Sequence, residues 1–384
     1  MTDVGVVFAA KTIRTFCYGF LGIVLPVYLA DLGMGAAGVG ASVTLTLVAS
    51  AGLTWAVRRP AERYGARVAL LGLVALTALA ALLLLWTRSP WLVVAAAMLG
   101  NVAVGGGETG PFLTVEQVII ARSVQGPRRT TLLSFYNLLG YGGAALGAAA
   151  AGVADSYRQL FIVFLAGAVL QAIAYWRLPP AAPLDSARRR EPVTSAPLIR
   201  RLAALFALDS FAGGFVLQSL VAYFLHARFG FSLADLGFTF LVAQLLTAAS
   251  LLLAAPLASR FGLLPTMVVS HLISNIVLIA IAAAPTAMAA VALLCLRQLL
   301  SQMDVPTRQA YVMAVVLDHE RETAASTTNL ARTVAQAISP ALTGWIMQSV
   351  AMGAPFVLGG GLKIVYDVLL YVMFRHVQLS EEQV

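Results

Sequence analysis

The sequence predicts an all-α membrane protein with twelve transmembrane helices, arranged as two parallel-repeat six-helix bundles. Three observations predict it. Of the 384 residues, 60% are hydrophobic and 11% charged, a balance that suits a polytopic membrane protein and not a soluble one. Apolar runs recur along the whole chain, each near or above the roughly 20 residues that a helix needs to cross the hydrocarbon core. The second half repeats landmarks of the first in the same order, the mark of an internal duplication. A barrel is excluded because the runs do not alternate, and in lipid only helices or closed barrels satisfy their backbone groups.

In order, the first half reads as spans at Val4–Leu29, Val39–Val57, Val68–Trp86, Trp91–Ala121, Thr130–Ala154 and Leu160–Leu178. The first span carries Lys11 and Arg14 inside its apolar stretch. That is unlike a cleavable signal, so the span is expected to act as its own insertion signal. The second half reads as Ile199–Leu225, Leu233–Ala258, Leu264–Ala283, Thr286–Leu317, Ala324–Val350 and Pro355–Phe374. Several runs exceed the length needed, which predicts tilt, kinks or protruding ends. Between the halves lies PPAAPLDSARRREPVTSAP from Pro179, rich in proline and charge and unable to span. The domains are therefore expected at 1–178 and 199–384, with a linker at 179–198.

The formal charge of +8 marks topology and not a nucleic-acid partner. Arg58, Arg59, Arg63 and Arg67 crowd loop 2–3, and Arg122, Arg128 and Arg129 crowd loop 4–5. Arg177, Arg188, Arg189, Arg190, Arg200 and Arg201 surround the linker, whereas the opposite loops hold Arg88, Arg158 and Arg228. Positive loops stay inside, so both termini and the linker are expected to be cytoplasmic, on an integral inner-membrane protein. The two cysteines, Cys17 and Cys295, suggest neither a disulfide framework nor a metal site.

The repeat is specific. IRTFCYGFLGIVLPVYL from Ile13 aligns with LDSFAGGFVLQSLVAYF from Leu208, pairing Phe16 with Phe211, Gly19 with Gly214 and Tyr28 with Tyr223. AERYG ending at Gly65 pairs with ASRFG ending at Gly262. Asn137 and Gly152 pair with Asn329 and Gly344 at the same separation, and Pro111 matches Pro306. A duplication of this kind places the substrate path between the halves, near the midplane.

Six plus six helices, a basic central loop and repeated halves resemble the major facilitator superfamily over essentially the whole chain. Loop 2–3, RRPAERYGAR from Arg58, is similar to that family's local signature, with glutamate at the acidic position. Glu62, Arg63, Gly65 and Arg67 match in kind. The resemblance implies that this loop latches the cytoplasmic side near the start of helix 11, where a carboxylate meets the positive end of a helix dipole. Helix 5, NLLGYGGAALGAAAAG from Asn137, resembles the family's antiporter signature, with Ala148 in place of its proline. Gly143, Gly147 and Gly152 also allow plain close packing, and Pro340 stands in the complementary SPALTG of helix 11. The resemblance further implies that helices 1, 4, 7 and 10 line a cavity, that the transporter works by alternating access, and that it acts as a monomer.

The polar residues of those helices are the site candidates. Arg297, Ser301, Asp304, Arg308 and Tyr311 are spaced +4, +3, +4 and +3, one stripe on a 3.6-residue helix. Ionisable groups at membrane depth are costly against lipid, so the stripe is expected to face a water-filled path, a partner helix or a ligand. Arg14 and Asp209 occupy repeat-equivalent positions with opposite signs, which suggests either a breakable salt bridge between them or two separate, hydrated charges near the cytoplasmic mouth. A carboxylate in a partly dry cavity is able to carry a proton near neutral pH; Glu108, Asp209 and Asp304 are the candidates, with Arg297 or Arg308 expected to keep Asp304 ionised. Tyr18, Asn101 and Gln336 join the cavity candidates, and Arg332 the gating ones. Glu116 is expected to pair with Arg122 or Arg308, Lys363 with Asp367 four residues on, and His271 to be a packing residue with a local hydrogen bond.

No HExxH, no paired histidines at metal spacing, no nucleophile motif and no nucleotide loop occur. The sequence thus predicts no enzyme, no cofactor, and a secondary transporter not driven directly by ATP. Carboxylates and aromatics in the core suggest proton-coupled export of small amphiphilic organic compounds, drugs included. The arginines suggest instead an organic anion, since guanidinium suits carboxylate and phosphate. A non-transporting sensor or scaffold is the remaining class, against which the lack of a sizeable soluble domain speaks.

Overall fold

The computed structural model describes residues 3–102, 110–123, 127–180, 195–304, 307–308, 311–312, 316 and 320–375. The described residues are helices joined by short turns. In chain order they are α1 (Asp3–Asp31), α2 (Ala36–Ala56), α3 (Arg58–Tyr64), α4 (Ala66–Trp86), α5 (Pro90–Leu99), α6 (Pro111–Ser123), α7 (Pro127–Val153) and α8 (Tyr157–Trp176). They continue as α9 (Ala196–Gly214), α10 (Gln218–Phe229), α11 (Leu233–Phe261), α12 (Leu263–Ala282), α13 (Ala287–Ser301), α14 (Arg321–Ser349) and α15 (Ala354–Phe374). Among these helices are eight apolar segments long enough to cross a membrane, α2 with α3 and α9 with α10 each counting as one. The shorter apolar helices α5, α6 and α13 belong to spans that are interrupted.

Where the over-long runs predict tilt or kinks, three spans break outright among the described residues. The fourth span stops at Leu99, and Asn101 takes a left-handed backbone with φ 49°, a conformation that asparagine tolerates better than most residues. The helix resumes at Pro111, whose fixed φ and missing N–H suit a first turn. The seventh span breaks over Phe215–Leu217, after the helix-weak pair Gly213 and Gly214. The tenth span stops at Ser301; Gln302 and Met303 form a turn before helical backbone returns at Asp304. The stripe from Arg297 to Tyr311 therefore does not run down one straight helix. Loop 2–3 is likewise not a plain loop, because Arg58–Tyr64 forms the short helix α3.

The described chain divides into two compact units, residues 1–188 with 218–244, and residues 189–217 with 245–384. In the first unit the most extensively packed pair is α1 with α7. Glycine makes this approach possible. A Cβ on Gly147 would land on the backbone carbonyl of Phe16, and one on Gly19 on that of Ala144. The unit's apolar core draws Val6 and Ala10, Leu70 and Leu73, Phe112, Ala168 and Tyr175 from α1, α4, α6 and α8.

In the second unit the corresponding pair is α9 with α14. There Gly214 meets the Ser339 side chain and the Gln336 carbonyl, and Pro340 sits inside α14. Its core gathers Ile199, Leu202, Phe206, Met267, Tyr311, Tyr366 and Phe374. The duplication seen in the sequence thus reappears as the same helix pairing inside each unit. It also recurs in backbone detail: Gly65 has φ 85°, ψ 163°, and Gly262 φ 85°, ψ 159°. Each joins two consecutive helices through a conformation essentially confined to glycine.

Candidate functional site

Each unit contains a buried network of charged side chains. In the first, Arg14 is 1% exposed and Glu116 is fully buried. The guanidinium grips the carboxylate with two hydrogen bonds, Nη1 to Oε1 at 3.2 Å and Nη2 to Oε2 at 2.5 Å. Two tyrosines complete the carboxylate's coordination. Tyr136 Oη donates to Oε2 and Tyr175 Oη to Oε1, both at 2.6 Å. Tyr175 in turn accepts from Arg14 Nη1 at 2.8 Å. Phe112 lies under the guanidinium at 4.5 Å, and Lys11 sits 4.3 Å from the Tyr136 ring centroid. The network ties α1 to α6, α7 and α8. A bidentate, charge-assisted pair with aromatic cover is the strong form of an arginine contact.

This geometry corrects two expectations. Glu116 pairs with Arg14, not with Arg122 or Arg308. The breakable bridge expected between Arg14 and Asp209 gives way to a partner for each within its own unit. The tyrosines that hold Glu116 escaped the sequence reading, because they come from 20 and 59 residues away and nothing in their local spacing marks them.

In the second unit Asp209, on α9, is 4% exposed. Lys363 Nζ donates to its Oδ1 at 2.6 Å, and Arg308 Nη1 to its Oδ2 at 3.3 Å. Arg308 also binds Asp304 Oδ2 at 2.7 Å, so it is Arg308 that pairs with Asp304. Next to these, α12 and α15 interlock through two pairs of residues one turn apart. His271 and Asn275 face Lys363 and Asp367. His271 Nδ1 is 2.7 Å from Asp367 Oδ1, and Asn275 Nδ2 donates to Asp367 Oδ2 at 2.9 Å. Lys363 Nζ stands 3.3 Å from His271 Nε2, which itself lies 3.7 Å from Asp209 Oδ1.

An ammonium only donates, so Lys363 is able to bond Nε2 only in the tautomer that carries the ring proton on Nδ1, toward Asp367. Lys363 is therefore paired with Asp209 and not with Asp367, and His271 is a member of the charge network and not a packing residue. The spacing of Lys363 and Asp367 was legible; that their partners lie on other helices was not.

The two networks share a plan. Arg14 on the first span meets a carboxylate of the fourth; Asp209, at the equivalent place on the seventh, meets a guanidinium of the tenth. The duplication kept the pair and inverted its sign.

The remaining candidates fall around these networks. Tyr18 Oη reaches the Gly100 carbonyl at 3.4 Å, at the break of the fourth span. Asn101 is buried beside Gly110. Ser301 Oγ and Arg297 Nη1 both donate to Gln298 Oε1, at 3.3 and 3.1 Å. Arg332 Nε donates to Ser210 Oγ at 2.9 Å. Tyr311 is buried in the apolar core against Phe374. Glu62 and Arg63 are exposed on α3, and Arg67 packs over Trp176 at 4.6 Å. Gly152 lies where a Cβ on Gly237 would meet its backbone. Glu108 lies outside the described residues. Among the described residues no group of histidine, cysteine and acidic side chains has the make-up of a metal site.

Helical repeats with buried ion networks in a chain of this hydrophobicity define a polytopic membrane transporter fold. The family model of the Major Facilitator Superfamily matches residues 7–300 and again 202–383; the chain belongs to that superfamily, as a membrane transporter and not an enzyme. An uncharacterised membrane protein of Saccharomyces cerevisiae is 23% identical, over 97% of this chain and 94% of its own length. Among solved structures, the nucleoside transporter NupG superposes with a TM-score of 0.76 at 15% identity, covering 98% of this chain and all of that one. A D-xylose-proton symporter superposes with a TM-score of 0.74 at 13% identity, over 96% and 98% of the two chains.

Proposed function

We propose that this chain is a proton-coupled transporter of small amphiphilic organic compounds, working by alternating access in the direction of export, with Asp209 as its coupling carboxylate. The observation that carries the coupling is the Asp209 environment: a buried acid shared by Lys363 and Arg308, with His271 in reach. Lys363 and Arg308 hold Asp209 ionised in this arrangement, so a proton enters when they part, and the neutral acid then no longer holds Lys363 of α15 and Arg308 of the tenth span to α9. One proton thereby loosens three elements of one unit, and its loss draws them together again. A buried pair contributes little net stability because desolvation opposes it, but a lone buried charge is costly, which suits a switch. The D-xylose-proton symporter among the structural neighbours gives the fold a proton-coupled precedent. Asp304 and Glu108 are the other coupling candidates. The turn through Gly65, with Glu62, Arg63 and Arg67, is assigned to gating at the cytoplasmic side.

The test is the internal pH of proteoliposomes holding purified protein, challenged with a panel of amphiphilic cations, neutral compounds and anions. Wild type is expected to move protons in response to its substrate, and Asp209→Asn to lose that movement while keeping the ability to bind. Coupled proton flux that survives in Asp209→Asn at the wild-type rate removes Asp209 from the role.

A further inference from the structure

We infer that Arg297 and Arg332 bind the acidic group of a small organic anion, so that the compound moved by this transporter carries a carboxylate or a phosphate. The inference rests on the transport reading above and names the charge of its substrate. It starts from the partners of the second unit's cations. Arg308 and Lys363 each have a carboxylate within 3.3 Å. Arg297 and Arg332 have none within ion-pairing distance among the described residues. Arg297 spends one donor, Nη1, on the neutral Gln298 amide, and its Nε is buried without a partner. Arg332 spends Nε on the neutral Ser210 hydroxyl.

Each guanidinium has five N–H donors and never accepts, and among the described residues each gives one hydrogen bond to a neutral group. Both lie within the electrostatic reach of Asp209 and Asp304, yet those two acids are already held at short range by Arg308 and Lys363. Counted together among the described residues, Arg297, Arg308, Arg332 and Lys363 face Asp209, Asp304 and Asp367, an excess of one positive charge before His271 is counted. A guanidinium drawn partly out of water favours a counter-charge. An anion from outside the chain supplies what the network lacks. Both arginines are also partly exposed, so a ligand has access to the donors. The chemistry selects the class: a planar two-pronged donor matches carboxylate and phosphate oxygens, which a lysine in either place would not.

The experiment measures binding to purified protein in nanodiscs, with benzoate, succinate and phenyl phosphate as anionic probes and tetraphenylphosphonium as the cationic one. Wild type is expected to bind at least one anion and not the cation. Arg297→Gln and Arg332→Gln are each expected to weaken that anion at least tenfold, and benzoate against phenyl phosphate separates carboxylate from phosphate. Should the neutral variants fail to fold, Arg297→Lys and Arg332→Lys keep the charge and remove the fork, and are expected to lose affinity at an unchanged melting temperature.

Failure of every anion to bind wild type, or anion affinity within twofold of wild type in the variants, overturns the site. Proteoliposomes made from the same preparations separate this from the transport reading. Proton flux driven by the cation and intact in the arginine variants overturns the anion site and leaves the transporter. Arginine-dependent anion binding with no proton flux keeps the site and overturns the coupling.

Discussion

The most exposed wager at the level of single residues is Glu116. Its carboxylate accepts from Arg14, Tyr136 and Tyr175, and it stands 2.5 Å from the buried Arg14 guanidinium. Glu116→Gln leaves that guanidinium in a nearly dry site, at a cost of about 3–5 kcal/mol for breaking one side of a buried pair. Tyr136→Phe removes one hydrogen bond and leaves the pair, so a loss of about 1–2 kcal/mol is expected. Melting temperatures of the purified variants in one detergent check the order. The double change Arg14→Met with Glu116→Leu removes both charges, and is expected to recover most of the stability lost in Glu116→Gln. If it melts as low as the single variant, the charge argument fails and shape alone accounts for the site. His271 admits a parallel test. His271→Gln offers Lys363 an acceptor but loses the imidazole link to Asp367; substrate-driven proton movement is expected to slow while melting changes little, whereas equal loss of both would make His271 structural.

Helices and turns carry a second set of consequences. Gly147 stands where any Cβ would overlap the Phe16 carbonyl of α1, while Gly142, five residues earlier on another face of α7, has open space. Gly147→Leu is expected to force α7 off α1 and to reduce the folded yield severely, and Gly142→Leu to be tolerated; fluorescence size-exclusion profiles compare them directly. The glycines that resemble an antiporter signature thus have a packing role in this chain whatever the direction of transport. Gly65 and Gly262 make a matched pair of turns with near-identical dihedrals. Alanine at either position is expected to cost about 1–3 kcal/mol of backbone strain, with the two losses alike because the conformations are alike. Much of this scale was legible in the chain: the duplication, the small residues and the run lengths all follow from composition and order. The interruptions were not. A run such as Trp91–Ala121 stays apolar straight through Gly100 and Asn101, and hydropathy has no term for a change of φ. Likewise the spacing of Arg297, Ser301 and Asp304 describes an ideal helix, and a turn at Gln302 and Met303 undoes it.

For the molecule as a whole, the sequence makes a claim about orientation that the helices by themselves do not. Charge placement is the argument. The arginines of α3 and of its junction with α4 lie at one end of the first unit's helices, and Arg88 alone represents the loop after α4. The aromatic residues suit the same frame. Trp55 and Trp176 are exposed at the arginine-rich end, where Arg59 and Arg67 stack on them, and Trp86 and Trp91 are exposed at the opposite end. Tryptophan gathers at both membrane interfaces, whereas lysine and arginine gather inside, so we propose that the arginine-rich end is the cytoplasmic one. Arg58 and Ser89 are both exposed and sit at opposite ends of α4. In a background with Cys17→Ala and Cys295→Ser, a cysteine at either position reports its side. A membrane-impermeant maleimide added to intact cells is expected to label Ser89→Cys at once, and Arg58→Cys only after the membrane is opened. The reverse pattern would place the termini outside and turn the loop through Gly65 into an external feature, which removes it from a cytoplasmic gate. Labelling of both in intact cells would mean that the charge bias does not hold one topology, and the second half's arginines would then have to be counted separately from the first's.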